Sequence, residues 1–119
     1  MQPYPKNIKR LLREFMVEAY ERELHRELLK LDQDFAEWRD GQISSGELSL
    51  RVHQYEVGPS RELYKKYNYS YDDLNVAYAI ATGILKRDEI PDELLEAISN
   101  LLVFYQSRKE EGEPKEPDE

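Results

Sequence analysis

The chain has 119 residues, no cysteine and a formal net charge of −8. This length fits one domain with a hydrophobic core, and the lack of cysteine excludes a disulfide scaffold and thiolate metal sites. No apolar run approaches the length of a membrane span, and the N-terminal residues do not have the pattern of a signal peptide. We therefore expect a soluble, cytoplasmic protein that does not bind membranes.

The first predicted element is a long helix from about Asn7 to about Arg39. Apolar residues recur there every three or four positions, and no glycine or proline interrupts them. Such a helix is about 50 Å long at about 1.5 Å per residue, which exceeds the width of a globule of this size. We expect it to bend or to project and form a homodimer. The predicted dimer interface comprises Leu24, Leu28, Leu31, Phe35 and Trp38.

A second, short helix is predicted from about Ser45 to Glu56. Gly41 should end the first helix in the left-handed conformation. Ser44 and Glu47 then form the capping-box pattern at the start of the second helix. Gly58 is predicted to end this second helix.

Three further helices are predicted after Gly58. Pro59 should begin the third helix, and Asn68 should end it in the left-handed conformation. The fourth helix should follow Ser70 as its N-cap, with Gly83 inside it at a close helix contact. Pro91 should occupy the first position of the fifth helix.

The fold class that follows is all-α, with about five helices. The long N-terminal helix should pack with a C-terminal helical hairpin in a bundle-like arrangement, because no segment alternates as a strand does. We expect one helical domain over residues 1–109. Residues 110–119 contain six acids and no apolar side chain, which predicts a disordered acidic tail.

A locally basic stretch lies at residues 58–68, which carry three bases and one acid. Tyrosines follow it closely, and tyrosine and arginine are frequent at interaction hot spots. The stretch therefore predicts a surface that binds a partner or an anion. Its residues are Ser60, Arg61, Lys65, Lys66, Tyr69 and Tyr71.

Residues 48–68 look like the core of a helix-turn-helix, which makes a DNA-binding regulator the first alternative function. Gly58 would be the turn glycine. The polar residues that face the major groove would be Ser60, Arg61, Lys65 and Lys66. The pattern departs at Gln54, where a small residue is expected. The negative charge of the chain also opposes nucleic acid as a partner.

A second alternative is a magnesium-dependent nucleotide phosphohydrolase. All-α nucleotide pyrophosphatases hold magnesium with carboxylates from two helices, and this chain is similar to them in having acidic residues on its predicted helices. The acidic residues that carry this similarity are Glu21, Glu23, Glu27, Asp72 and Asp73. However, bases alternate with the glutamates at the spacing of a solvated helix face. A di-iron site, which helical bundles form with Glu-x-x-His motifs, is not expected either, because Arg22 stands where the glutamate before His25 would be. We expect no metal and no cofactor.

The best reading of the sequence is a non-catalytic helical protein that acts by protein–protein interaction. We expect it to be homodimeric through the long first helix and to contact another protein as well.

Overall fold

The computed structural model describes residues 4–110, with side chains from residue 4 to residue 108, and it confirms the predicted all-α, bundle-like fold. All regular structure in this range is helical. The helices are α1 (Lys6–Arg39), α2 (Ser45–Tyr55), α3 (Arg61–Asn68), α4 (Asp72–Ala81), α5 (Asp92–Ala97) and α6 (Ser99–Glu110). A π-helical segment, Glu56–Ser60, joins α2 to α3, and a 3-10 turn, Arg87–Glu89, precedes α5. Apart from Glu110, the predicted acidic tail lies outside the described residues.

The chain divides into two compact units. One unit, which we call the terminal bundle, combines Met1–Ala19 with Ser70–Glu119; the other, the central hairpin, is Tyr20–Tyr69. The expectation of one domain over 1–109 stays a prediction, because a division into compact units does not show whether either unit folds alone. Among the helices described, none has the length and apolar character needed to cross a membrane.

The long helix α1 begins and ends where its pattern predicts. Gly41 adopts φ +78°, as expected for a left-handed C-terminal glycine. Its amide donates to the carbonyl of Trp38 at 3.0 Å, and the Gln42 amide donates to Glu37 at 2.8 Å. This pair of bonds is the Schellman motif, which satisfies carbonyls that the helix end leaves open.

Ser44 caps α2 as predicted. Its Oγ accepts from the Glu47 amide at 3.0 Å, while the Glu47 carboxylate accepts from Arg51 at 3.0 Å. We expect Ser44→Ala to lower the free energy of unfolding by about 1 kcal/mol, because an amide at the helix start loses its acceptor. Urea unfolding of Ser44→Ala beside Ser49→Ala, an exposed serine inside the same helix, would measure this difference. Equal midpoints for the two variants would contradict the role of the cap.

The predicted turn at Gly58 is wrong. Gly58 and Pro59 lie inside the π-helical segment, and the flanking residues Glu56 and Arg61 both keep right-handed helical dihedral angles. The chain therefore runs helically from α2 to α3. A proline ring clashes with the carbonyl four residues earlier in an α-helix, and the wider π-turn gives room for it.

Other predicted helix ends shift by one or a few residues. Asn68 is not left-handed; instead its side-chain amide donates to the Tyr64 carbonyl at 2.8 Å. Tyr71, and not Ser70, is the N-cap of α4. Gly83 adopts φ +85° just beyond α4, so it ends that helix and does not lie inside it.

The predicted fifth helix spans α5 and α6. Pro91 is its N-cap and lies one position before the first helical residue, which is a correction of one position. Ile98, with φ −111°, separates the two segments. The five predicted helices are therefore the observed ones, with the last divided at a buried residue.

The terminal bundle contains most of the apolar core. α1 contributes one buried face to it, and α4 to α6 contribute the rest. The buried side chains include Ile8, Leu12, Met16, Val76, Ala79, Leu85, Leu94, Ile98 and Leu102. Asn7 also donates to Glu93 at 3.2 Å, so this part of α1 packs with α5 as the predicted fold requires.

The central hairpin contains little apolar core. Of the described apolar side chains that are buried, two belong to it, Leu48 and Tyr67, whereas fifteen belong to the terminal bundle. The two units have similar numbers of described residues, so this difference is not one of size. Two helices side by side bury only one face of each.

Candidate functional site

A cluster around Arg51 joins the two arms of the central hairpin near their connection. Arg51 Nη1 lies 2.8 Å from Asp34 Oδ1 and 3.1 Å from Glu37 Oε1, both on α1, and Nε lies 3.0 Å from Glu47 on α2. The hydrogen bonds that Arg51 donates to these carboxylates, the one to Glu47 first, raise the pKa of Arg51. Three carboxylates on one guanidinium group leave this end of the hairpin acidic.

A second polar cluster joins α1 to α3 at the other end of the central hairpin. Glu23 is 5% exposed, and its Oε2 accepts from Lys66 Nζ at 2.8 Å and from the hydroxyl of Tyr67 through a short hydrogen bond. Tyr20 stacks on Tyr67 with ring centroids 5.1 Å apart. A carboxylate so deeply buried needs such partners, because an unpaired buried charge is costly.

Tyr20 completes this second cluster from α1. Burial is the main cause that raises its pKa, and the nearby Tyr55 and Tyr64 contribute less. Lys66 Nζ also lies 5.1 Å from the centre of the Tyr67 ring, within the range of a cation–π contact. Lys66, which the sequence places on a binding surface, therefore has an internal structural role.

The other two basic residues of the predicted surface are Arg61 and Lys65, and Arg61 has a partner within the chain. Arg61 Nη2 lies 3.2 Å from both oxygens of Glu56, in an exposed pair. Such a pair weakens the positive potential at Arg61 while leaving it in solvent. Lys65 is exposed, and Ser60 is half-buried as the residue before α3. The stretch is therefore less basic than its sequence indicates.

The two tyrosines of the predicted surface, Tyr69 and Tyr71, lie in different units. Tyr69 is 76% exposed and meets Tyr64 edge to face, with ring centroids 6.1 Å apart. Tyr71 is also exposed but belongs to the terminal bundle. The structure brings Ser60, Arg61, Lys65 and Tyr69 onto one segment of the hairpin, and Tyr71 is not part of that unit.

The predicted dimer interface lies on α1 within the central hairpin. Leu28 is 47% exposed and Trp38 39% exposed, while Leu24, Leu31 and Phe35 are half-buried. Phe35 and Trp38 touch edge to face at 6.3 Å, and the Trp38 indole donates to Ser45 at 3.0 Å. We call these five residues the stripe; they alternate at four- and three-residue spacing, as the a and d positions of a coiled coil do.

Further apolar residues of the central hairpin are exposed to solvent. Leu29 on α1 is 57% exposed, and Leu50 on α2 is 48% exposed. Neither residue was predicted as part of a surface, because both fall outside the main apolar spacing of their helices. Together with the stripe they leave much of the apolar surface of the hairpin uncovered, which is typical of an interaction surface.

The carboxylates of the magnesium alternative have internal partners in two places. Glu23 is bound by Lys66 and Tyr67 in the central hairpin. In the terminal bundle, Asp73 is buried and accepts from the Tyr4 hydroxyl at 2.8 Å. Burial, followed by this hydrogen bond, raises the pKa of Tyr4 to about 12. Within the described residues, no group of three or more potential ligands is arranged to hold a metal ion.

The helix-turn-helix alternative required a turn at Gly58, and the described chain is helical there. Lys66, one of the residues expected to face DNA, points instead to the buried Glu23. These two placements remove the geometry on which that alternative depended.

Arg51 binds three carboxylates, and the sequence alone did not predict this role for it. The spacing of Glu47 and Arg51 gives a signal for their pair, since residues four apart on a helix are neighbours. Its bonds to Asp34 and Glu37 depend on how the hairpin folds, and local sequence carries no sign of them.

The chain matches no protein-family model, no curated protein sequence and no solved structure.

Proposed function

We propose that this chain is a non-catalytic interaction protein that forms a homodimer through the central hairpin. The contact surface is the stripe, and the exposed Lys65 and Tyr69 are available to a further protein partner.

The observation that supports this proposal is the small core of the central hairpin. Leu48 and Tyr67 are its buried apolar side chains, whereas Leu28, Leu29 and Trp38 remain exposed on α1. Burying apolar area contributes about 25 cal/mol per Å², so an open stripe is a source of association energy. Two helical hairpins together make four helices, an arrangement in which every helix has neighbours on two sides.

Light scattering tests the dimer directly. At micromolar concentration we expect twice the 14.2 kDa of one chain. Leu28→Glu should raise the dissociation constant by at least about tenfold, because each copy would bring a carboxylate into the apolar contact. The circular dichroism of the variant should stay helical, since Leu28 is exposed within one chain.

The matched control is Val103→Glu on α6. Val103 is also aliphatic and is 68% exposed, and its substitution changes the net charge equally, but it lies in the terminal bundle. The control should dimerise as the unchanged protein does. A mass near 14.2 kDa for the unchanged protein would refute the proposal.

A further inference from the structure

We infer that the second copy packs antiparallel, so that the connection end of one central hairpin lies against the opposite end of the other. This inference rests on the proposed dimer and specifies which residues of the two stripes meet.

The two ends of the central hairpin differ in charge. Residues 32–51 surround the α1–α2 connection, and the bonds of Arg51 to Asp34 and Glu37 hold this end together. Five carboxylates and two guanidinium groups belong to it, a net charge of −3. Its charged residues are Asp32, Asp34, Glu37, Arg39, Asp40, Glu47 and Arg51.

The opposite end has a slight excess of positive charge. It comprises residues 20–31 and 52–69, which the bond from Lys66 to Glu23 joins. Six basic side chains and five carboxylates belong to it, a net charge of +1. Lys65, exposed on α3, lies at this end.

The charges of the two ends distinguish the two possible dimers. A parallel dimer would place the acidic connection ends side by side, with −3 against −3. An antiparallel dimer places −3 against +1 at both ends, and opposite net charges across an interface favour association while like charges oppose it. A two-fold axis perpendicular to α1 makes this contact self-complementary.

Full overlap of the two antiparallel stripes sets their register. Leu31 is the middle of the five residues, so it should meet its own copy across the axis. Leu24 should then meet Trp38 of the other copy, and Leu28 should meet Phe35. In a parallel dimer Leu24, Leu28, Phe35 and Trp38 would each meet their own copy instead, while Leu31 meets its own copy in both arrangements.

Cysteine cross-linking distinguishes these registers, because the natural chain has no cysteine. A disulfide needs Cα atoms within about 7 Å of each other. Under mild oxidation, Leu31→Cys should form a covalent dimer with itself. Leu24→Cys and Trp38→Cys should each stay single when alone, since two copies of one such position lie about 20 Å apart along the helix at about 1.5 Å per residue. Refolded together, they should form the mixed dimer.

The variants Leu28→Cys and Phe35→Cys repeat the mixed test if Trp38→Cys fails to fold. A parallel dimer would show Leu24→Cys linked to itself and would overturn the inference while leaving the proposed dimer intact. A dimer that none of these cysteines links would also overturn it. A monomeric unchanged protein by light scattering would instead refute the proposed function on which the inference rests.

Discussion

Glu23→Ala is expected to lower the free energy of unfolding by about 3 kcal/mol. With a urea dependence of about 1.5 kcal/mol per molar, the unfolding midpoint should fall by about 2 M. Midpoints must be compared at one protein concentration, because dimer formation links stability to concentration.

The expected loss comes from what the substitution leaves behind. Lys66 would lose the carboxylate that lies 2.8 Å from its Nζ, and the buried Tyr67 hydroxyl would lose its acceptor. Removing one partner of a buried ion pair costs about 3–5 kcal/mol, and a stranded hydroxyl adds to the penalty. Since the Lys66 side chain is 28% exposed, water compensates part of the loss, and the lower end of that range applies.

Graded variants separate the parts of this cluster. Tyr67→Phe keeps the ion pair and should cost about 1 kcal/mol, the size of one hydrogen bond. The double substitution Glu23→Leu with Lys66→Met should recover much of the stability lost in Glu23→Ala, because replacing both charges with apolar groups leaves none unpaired.

The matched control for the cluster is Glu21→Ala, an exposed glutamate two positions away on α1. It should change stability by less than about 0.5 kcal/mol, as surface substitutions usually do. Equal urea midpoints for Glu21→Ala and Glu23→Ala would show that the cluster does not stabilise the hairpin.

The sequence predicts the helices well where their signals are local. Gly41 and Ser44 end and begin helices as predicted, because the left-handed dihedral and the side-chain cap depend on neighbouring residues alone. Gly58 and Pro59 failed as a stop signal. Their usual effect assumes a regular α-helix, whereas the fold adopts a π-turn that accepts both residues.

Contacts between residues distant in sequence were not predictable in this way. Glu23 and Lys66 are 43 positions apart. On the sequence, Glu23 looked like one member of a solvated charged face and Lys66 like a surface base. Only the pairing of α1 with α3 shows that the two charges neutralise each other. Lys66 therefore does not contribute to the predicted basic surface, and no pattern in the local sequence indicates this.

The π-helical segment has a consequence for how α3 meets α1. Leu48 and Tyr67, the buried apolar residues of the central hairpin, are nineteen positions apart in the sequence. Residues eighteen positions apart lie on the same side of a regular α-helix, because eighteen residues make about five turns at about 3.6 residues per turn. A separation of nineteen positions would therefore rotate Tyr67 by about 100° from the side of the helix on which Leu48 lies. A π-turn takes up one extra residue. The segment Glu56–Ser60 therefore allows both side chains to lie on the same side of the helical stretch from α2 to α3, where Tyr67 contacts Tyr20 and Glu23 of α1.

Inserting one alanine after Pro59 is expected to destabilise the protein by about 3 kcal/mol or more, because Tyr67 would turn away from Glu23 and the buried carboxylate would lose its partners. Deleting Pro59 should keep stability within about 1 kcal/mol of the natural chain. The deletion removes the extra residue, so Leu48 and Tyr67 fall five turns apart in a continuous α-helix. Urea unfolding measures both variants.

Two controls isolate the register from other effects of these changes. Pro59→Ala keeps the residue count and tests the loss of the proline ring alone. An alanine inserted after Ile43, in the connection before α2, adds the same residue outside the Leu48–Tyr67 interval and should be tolerated, as loop insertions commonly are. If the insertion after Pro59 is tolerated as well as the one after Ile43, the segment does not set the register. If only the insertion after Pro59 destabilises the protein, the segment that contains Gly58 and Pro59 is where the fold accommodates one residue more than a regular α-helix would.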